Sequence, residues 1–299
     1  MDNKEFGLKI RDLREKLCFT QEQFCEDETK LSIRQLTRIE AGTSKPTFST
    51  INYIAGRLGM TLYELMPDYI ELPDRYKILK YDILRTPTYG EEEMLDRRDS
   101  QLTEIYDDYY ALLSEEERVA VDTIQSTIDA FESETDLYGR DILDKYLQKI
   151  LTKEHYSVND LLIIRLFIEH IRYKETDSDS FQIFLTLVKQ LPEHVTKIAS
   201  NDLFVLRDVL LVIVSVLGSK RLYTYLPGLF SSLDDILKIS QDFQKKAILS
   251  MLKWKYELFV NKDKEKAIAL YEEAIIFANL LENDFLVEKL KESWKLDNE

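Results

Sequence analysis

Apolar residues return at every third or fourth position through most of this chain, and that period predicts helices almost from end to end. Phe6, Ile10, Leu13 and Leu17 form the first such stripe, over 4–17. Thr20, a hydroxyl N-cap with Gln23 three positions on, starts a second helix that turns Phe24 and Cys25 inward. After the polar turn Glu26 to Lys30, Ser32 caps a third helix over 33–41, which Gly42 stops. Pro46 opens the approach to a fourth at 48–58, burying Ile51, Ile54 and Leu58, and Thr61 caps a last short turn near Leu65. Beyond a stretch bracketed by Pro67 and Pro73, helices are predicted at 75–84, 92–112, 115–132, 138–151, 158–173, 178–191, 201–217, 228–238, 241–260, 263–281 and 284–295. Ser114 with Glu117, and Ser157 with Asp160, mark two of these starts. The connections are short, so neighbouring helices are expected to pack as antiparallel hairpins. The expected organisation is all-α: residues 1–66, a linker at 67–74, and a helical-repeat domain over 75–299.

The repeat is clearest near the C-terminus. Ala267, Tyr271 and Ala274 match the second-helix spacing of a tetratricopeptide repeat, with Leu252, Tyr256 and Phe259 on the preceding helix as its partner. Upstream units keep only the helix-pair rhythm, which a generic helical domain would also show.

Composition and charge sharpen this picture. Hydrophobic residues make up 44% of the 299, enough for a packed core, and only eight glycines and six prolines interrupt the helices. Residues 1–66 hold ten basic and ten acidic side chains, whereas the remainder holds thirty and forty-five and so carries the whole net charge of −15. Only the N-terminal segment is electrostatically suited to a phosphate backbone. Cys18 and Cys25 are read as reduced thiols of a cytoplasmic protein, since no apolar signal peptide precedes them. The longest apolar stretch, Val209 to Gly218, falls far short of the about 20 residues a bilayer span needs, so it is a buried core helix and no membrane role is expected. The three histidines show no metal-ligand spacing and no glycine-rich phosphate loop is present, so neither an enzyme, a metal nor a cofactor is expected. His170 beside Glu169 on an apolar helix reads as a satisfied core histidine.

Gly7, Leu13-Arg14, Thr20-Gln21, Leu31-Ser32, Arg38-Ile39-Glu40, Gly42, Pro46, Ile54 and Leu58 together match a helix-turn-helix of the phage-repressor type. Its third helix is the recognition helix. Ile33, Arg34, Thr37 and Arg38 occupy the N-terminal and outer face that meets base edges, flanked by Ser32 and Gln35, with Gln21 at the start of the second helix for phosphate. The plainer alternative for Arg34 and Arg38 is a solvated face. Resemblance to such motifs pairs Arg14 with Glu40, while the acidic turn Glu26 to Lys30 lacks their usual glycine.

A repressor-type helix-turn-helix followed by tetratricopeptide-like helices resembles the Rgg family of peptide-sensing regulators of Gram-positive bacteria, and within it the competence activators. The residues that carry this are Ile33-Arg-Gln-Leu-Thr-Arg-Ile-Glu40, Pro87-Thr-Tyr89, Leu113-Ser-Glu-Glu-Glu117, Asn159-Asp-Leu-Leu162 and the terminal repeat. The resemblance implies a short hydrophobic peptide bound by the repeat domain, release of a docked DNA-binding helix, and a homodimer on an inverted repeat of promoter DNA. It implies an autoinhibitory latch between Arg34 or Arg38 and Glu115, Glu116 or Glu117, although those glutamates equally suit a helix N-terminus. It places Thr88, Arg98 and Arg207 near the peptide, Arg207 departing from the expected polar amide. Phe167, Tyr225 and Phe230 are candidate apolar walls, and each of these six also fits ordinary core or surface. An Rgg-type regulator of another regulon, or a non-enzymatic interaction scaffold, remains an alternative.

Overall fold

The computed structural model describes residues 3–60, Leu65 and 72–298. Among them every regular element is helical. Contacts divide the chain into two units, Met1–Lys77 with Asp108–Glu115, and Ile78–Asp107 with Glu116–Glu299. The turn expected after Thr61 and most of the expected linker lie outside the described residues.

The first unit is built from α1 (Asn3–Lys16), α2 (Gln21–Cys25), α3 (Ile33–Glu40) and α4 (Phe48–Arg57) around one apolar core. Phe6, Ile10, Phe24, Cys25, Ile54 and Leu58 are buried as their spacing predicted, with Leu36 and Ile39 of α3 beside them, whereas Leu17, placed in the first stripe, lies past the end of α1 and is exposed. The starts follow the sequence: Thr20 and Gln23 form a reciprocal capping box, and Ser32 Oγ accepts the Gln35 N–H at 3.2 Å. Two glycines are required by contact. A Cβ on Gly7 would stand 2.2 Å from the Ile39 carbonyl oxygen, so only glycine lets α1 approach α3 this closely. Gly42 ends α3 at φ +71°, where a Cβ would also meet Lys4 Cα at 2.6 Å.

The second unit carries α6 (Glu92–Glu104), α7 (Glu115–Glu132), α8 (Arg140–Leu151), α9 (Val158–Ile171), α10 (Asp179–Gln190), α11 (Leu203–Ser219), α12 (Leu226–Ser240), α13 (Lys246–Tyr256), α14 (Lys264–Leu280) and α15 (Asp284–Asn298), after α5 (Asp74–Arg85). Consecutive or near-consecutive helices pack as pairs: α8 on α9, α9 on α11, α11 on α12, α13 on α14, and α14 on α15. The predicted apolar stretch is the core helix α11, buried on nearly all sides. Ser157 caps α9 in a capping box with Asp160. His170 is buried and its Nε2 lies 2.8 Å from the Tyr138 carbonyl; desolvation pushes its pKa below the usual imidazole value.

In the terminal repeat, Ala267, Ala274 and Ala278 are fully buried, and Tyr271 stacks on Trp294 at 4.6 Å while Trp254 meets both rings edge-on. Phe259 departs from expectation and is exposed. A π-helical turn at Glu257–Asn261 slips the helical phase there and turns Phe259 off the buried face. A second π turn, Ile105–Tyr109, followed by a 3-10 turn, ends the helix expected to run unbroken over 92–112.

Candidate nucleic-acid interface and ligand cavity

Helix α3 buries Leu36, Ile39 and Glu40 and leaves Arg34, Thr37 and Arg38 exposed, with Ser32, Ile33 and Gln35 half-buried at its start. A polar chain sets its angle. Arg14 grips Glu40 through two contacts, Nε to Oε1 at 2.7 Å and Nη2 to Oε2 at 3.1 Å, and donates Nη1 to the Phe19 carbonyl at 2.7 Å. Gln21 donates Nε2 to Glu40 Oε2 at 2.8 Å and accepts the Thr37 hydroxyl at 3.2 Å. The buried pair raises the Arg14 pKa, chiefly through the hydrogen bond to Glu40. Gln21 therefore sits between α2 and α3, its amide holding Glu40 and Thr37 in place.

The acidic turn before α3 has a structural use. Glu26 and Glu28 take positive φ (51° and 57°), the conformation glycine would adopt without strain. Glu28 Oε2 accepts the Ile33 N–H at 3.0 Å, satisfying a second free amide at the α3 start. Asp27 accepts both the amide and hydroxyl of Thr29, which hold its pKa below the usual carboxylate value. Arg57 closes the other side, bonding the Gln23 and Phe24 carbonyls at the end of α2 and pairing with Glu26. Sequence reading did not single out Arg57. Cys18 is exposed and Cys25 buried, both free; burial pushes the Cys25 thiol up to about 11.

The second unit contains a cavity of about 630 Å³, with Pro87, Thr88 and Tyr89 in its wall together with Arg98. Phe167, Arg207, Tyr225 and Phe230 lie outside its lining. Phe167 is buried in α9, Phe230 packs edge-on against Tyr256, and Tyr225 is half-buried ahead of α12. Arg207 is 1% exposed, with Nε 2.9 Å from Asp208 Oδ1 and Nη1 3.0 Å from Asp242 Oδ2. Four lining residues are cations (Arg98, Arg165, Arg172 and Lys245) against two carboxylates, Glu169 and Asp208, so the wall is locally cationic in a strongly acidic chain. Sequence reading passed over Arg165 and Lys245. The available signal was Arg165 itself, a lone cation inside the apolar run of α9.

Glu115 and Glu116 are exposed in the first turn of α7. Glu117 is drawn inward, accepting from Lys80 Nζ at 2.6 Å and Asn159 Nδ2 at 2.9 Å. Among the described residues no cluster of three or more metal-binding side chains occurs, and no helix is long and apolar enough to cross a membrane.

The tetratricopeptide domain described for ComR matches residues 73–294. The chain belongs to the ComR family. ComR from Streptococcus suis is 56% identical, with 100% of this chain and 97% of that one covered and a TM-score of 0.70. Two further ComR structures are similar over nearly the whole length. ComR from S. thermophilus, in complex with DNA and its signalling peptide ComS, is 27% identical, covering 98% and 100% of the two chains at a TM-score of 0.68. The competence regulator ComR from S. vestibularis, in complex with its cognate signalling peptide XIP, is 29% identical, covering 99% of each at a TM-score of 0.68. No curated protein matches the chain. The ComR family is thus one of regulators, and the all-α organisation read from the sequence is the one its structures share.

Proposed function

We propose that the protein is a peptide-responsive transcriptional regulator of the competence type, binding promoter DNA as a dimer on an inverted repeat once a short hydrophobic peptide occupies its repeat domain. One observation carries this: end-to-end similarity to ComR proteins, 56% identical in one case and bound to both DNA and a signalling peptide in another. Arg34, Thr37 and Arg38, exposed together on α3, read base edges, while Ser32, Ile33 and Gln35 at the helix start and Gln21 behind it set the approach to the backbone. The peptide lies in the cavity, with Thr88 and Arg98 at its wall. The protein acts where chromosomal DNA is, inside the cell, by binding and without catalysis.

The test is a gel shift on candidate promoter fragments with and without short hydrophobic peptides. A peptide-dependent, salt-sensitive shift that resists nonspecific competitor is expected. Absence of any sequence preference in both conditions overturns the reading, and is what an interaction scaffold would give.

A latch belongs to the same proposal. Glu115 and Glu116, with Glu117 beside them, have the sign to hold Arg34 and Arg38 away from DNA until peptide arrives. Exposed pairs contribute about 0.2–1 kcal/mol each, so replacing Glu115 and Glu116 by glutamine, with Glu117 left on its buried partner Lys80, is expected to raise peptide-independent DNA binding roughly 2- to 30-fold. Unchanged basal binding removes the latch and leaves the rest standing.

A further inference from the structure

The cations around the cavity are not equally occupied. Arg98 donates to Glu132 at 2.8 Å and to Asp99, and Arg172 is paired with Glu169 and bonded to Ser215. Arg207 lies between Asp208 and Asp242. Lys245 sits 5.2 Å over the Tyr89 ring, and desolvation lowers its pKa although Asp208 opposes the shift. Burial works against the Asp208 carboxylate, but Lys245, Arg207 and Arg165 outweigh it and hold its pKa below the usual value. Asp208 thus faces three cations, two of which, Arg207 and Lys245, also feel Asp242. Arg207 Nη1 and Nη2 are also buried without a hydrogen bond, but that guanidinium is ion-paired; Arg165 has a buried Nε without a partner and, among the described residues, no ion pair at all. Arg165 is half-buried, and a guanidinium with a buried, unsatisfied Nε–H and no carboxylate of its own favours an incoming anion that can accept that hydrogen.

We propose that Arg165, seconded by Lys245, is a carboxylate-binding subsite of the cavity, so that the peptide it accepts is apolar along most of its length and carries one acidic group. The inference rests on the peptide reading above and deepens it. The neighbouring wall fits that mixed chemistry, since Ile124, Ile128, Leu162, Leu211 and Met251 line the same space. A guanidinium matches a planar carboxylate by two parallel hydrogen bonds, and Lys245 adds a point charge within electrostatic reach. Arg98 and Arg207, the cations the sequence suggested for this task, already have carboxylate partners of their own. The acidic group has two possible sources, an Asp or Glu side chain or the peptide's C-terminus.

The experiment selects binders from a randomised octapeptide library, presented with free and with amidated C-termini, on the intact protein and on Arg165→Gln. The intact protein is expected to select apolar residues plus one carboxylate. Resynthesised binders should lose roughly 10- to 100-fold in affinity when that carboxylate becomes an amide. If Glu→Gln or Asp→Asn causes the loss, the side chain is the source; if terminal amidation does, the C-terminus is. Arg165→Gln should keep the apolar preference, which reports a folded cavity, and lose the carboxylate preference. An intact protein that selects apolar peptides and binds acid and amide forms equally overturns the subsite without touching the peptide reading, and needs no variant to say so. Retention of the acidic preference by Arg165→Gln also overturns it. Failure of the intact protein to select any peptide overturns the peptide reading, and the subsite with it.

Discussion

Replacing Arg34 and Arg38 together by alanine is expected to abolish operator preference while leaving the N-terminal unit folded. Both side chains are exposed on α3, whose buried face is made by Leu36, Ile39 and Glu40, so their loss is expected to change stability by no more than about 0.5 kcal/mol. At bases the effect is of another order. A bidentate arginine–guanine contact supplies roughly 1–3 kcal/mol of discrimination, so two such contacts amount to about 30- to 25,000-fold in specific affinity. Competition gel shifts on operator and scrambled fragments, with thermal melting as a control for folding, measure both quantities. An operator preference that survives the double substitution would move recognition away from α3.

The second large effect is on folding. Arg14→Met is expected to destabilise the protein by about 3–5 kcal/mol, because it strips a buried carboxylate of its cation and leaves Glu40 with Gln21. That is a large share of the about 5–15 kcal/mol that holds a typical domain together. The double substitution Arg14→Met with Glu40→Met should recover most of the loss, since two apolar side chains of similar size replace a pair whose desolvation is costly. Urea denaturation of the two variants beside the unaltered protein measures this. A single-variant cost below about 1 kcal/mol would mean that water, not Arg14, solvates Glu40. DNA binding should fall with the single variant, because the same Glu40 oxygen that Arg14 holds also anchors Gln21, and through it Thr37 on the recognition face.

Particular elements show what was readable in advance. The capping boxes at Thr20 and Ser157, the stop at Gly42 and the alanines of α14 are local signals, and each appears where the residue types place it. The π turns at Ile105–Tyr109 and Glu257–Asn261 were not legible. A π turn has no side-chain signature of its own, yet the extra residue rotates the helical phase enough to expose Phe259. The acidic turn before α3 lacked its expected glycine, and only the structure shows that Glu28 turns this departure into a helix cap.

The sequence by itself determined the helices, the helix-turn-helix, the repeat rhythm and the division of charge. These rest on interactions between residues three or four apart and on caps at known offsets. The tertiary structure alone decided which charges meet. Arg14 finds Glu40 across 26 positions, Lys80 finds Asn159 across 79, and the carboxylates near the cavity are taken up in ways that leave Arg165 over. Such pairings depend on distances through space between helices far apart in the chain, and in a chain with fifty-five acidic and forty basic residues composition leaves nearly every pairing open.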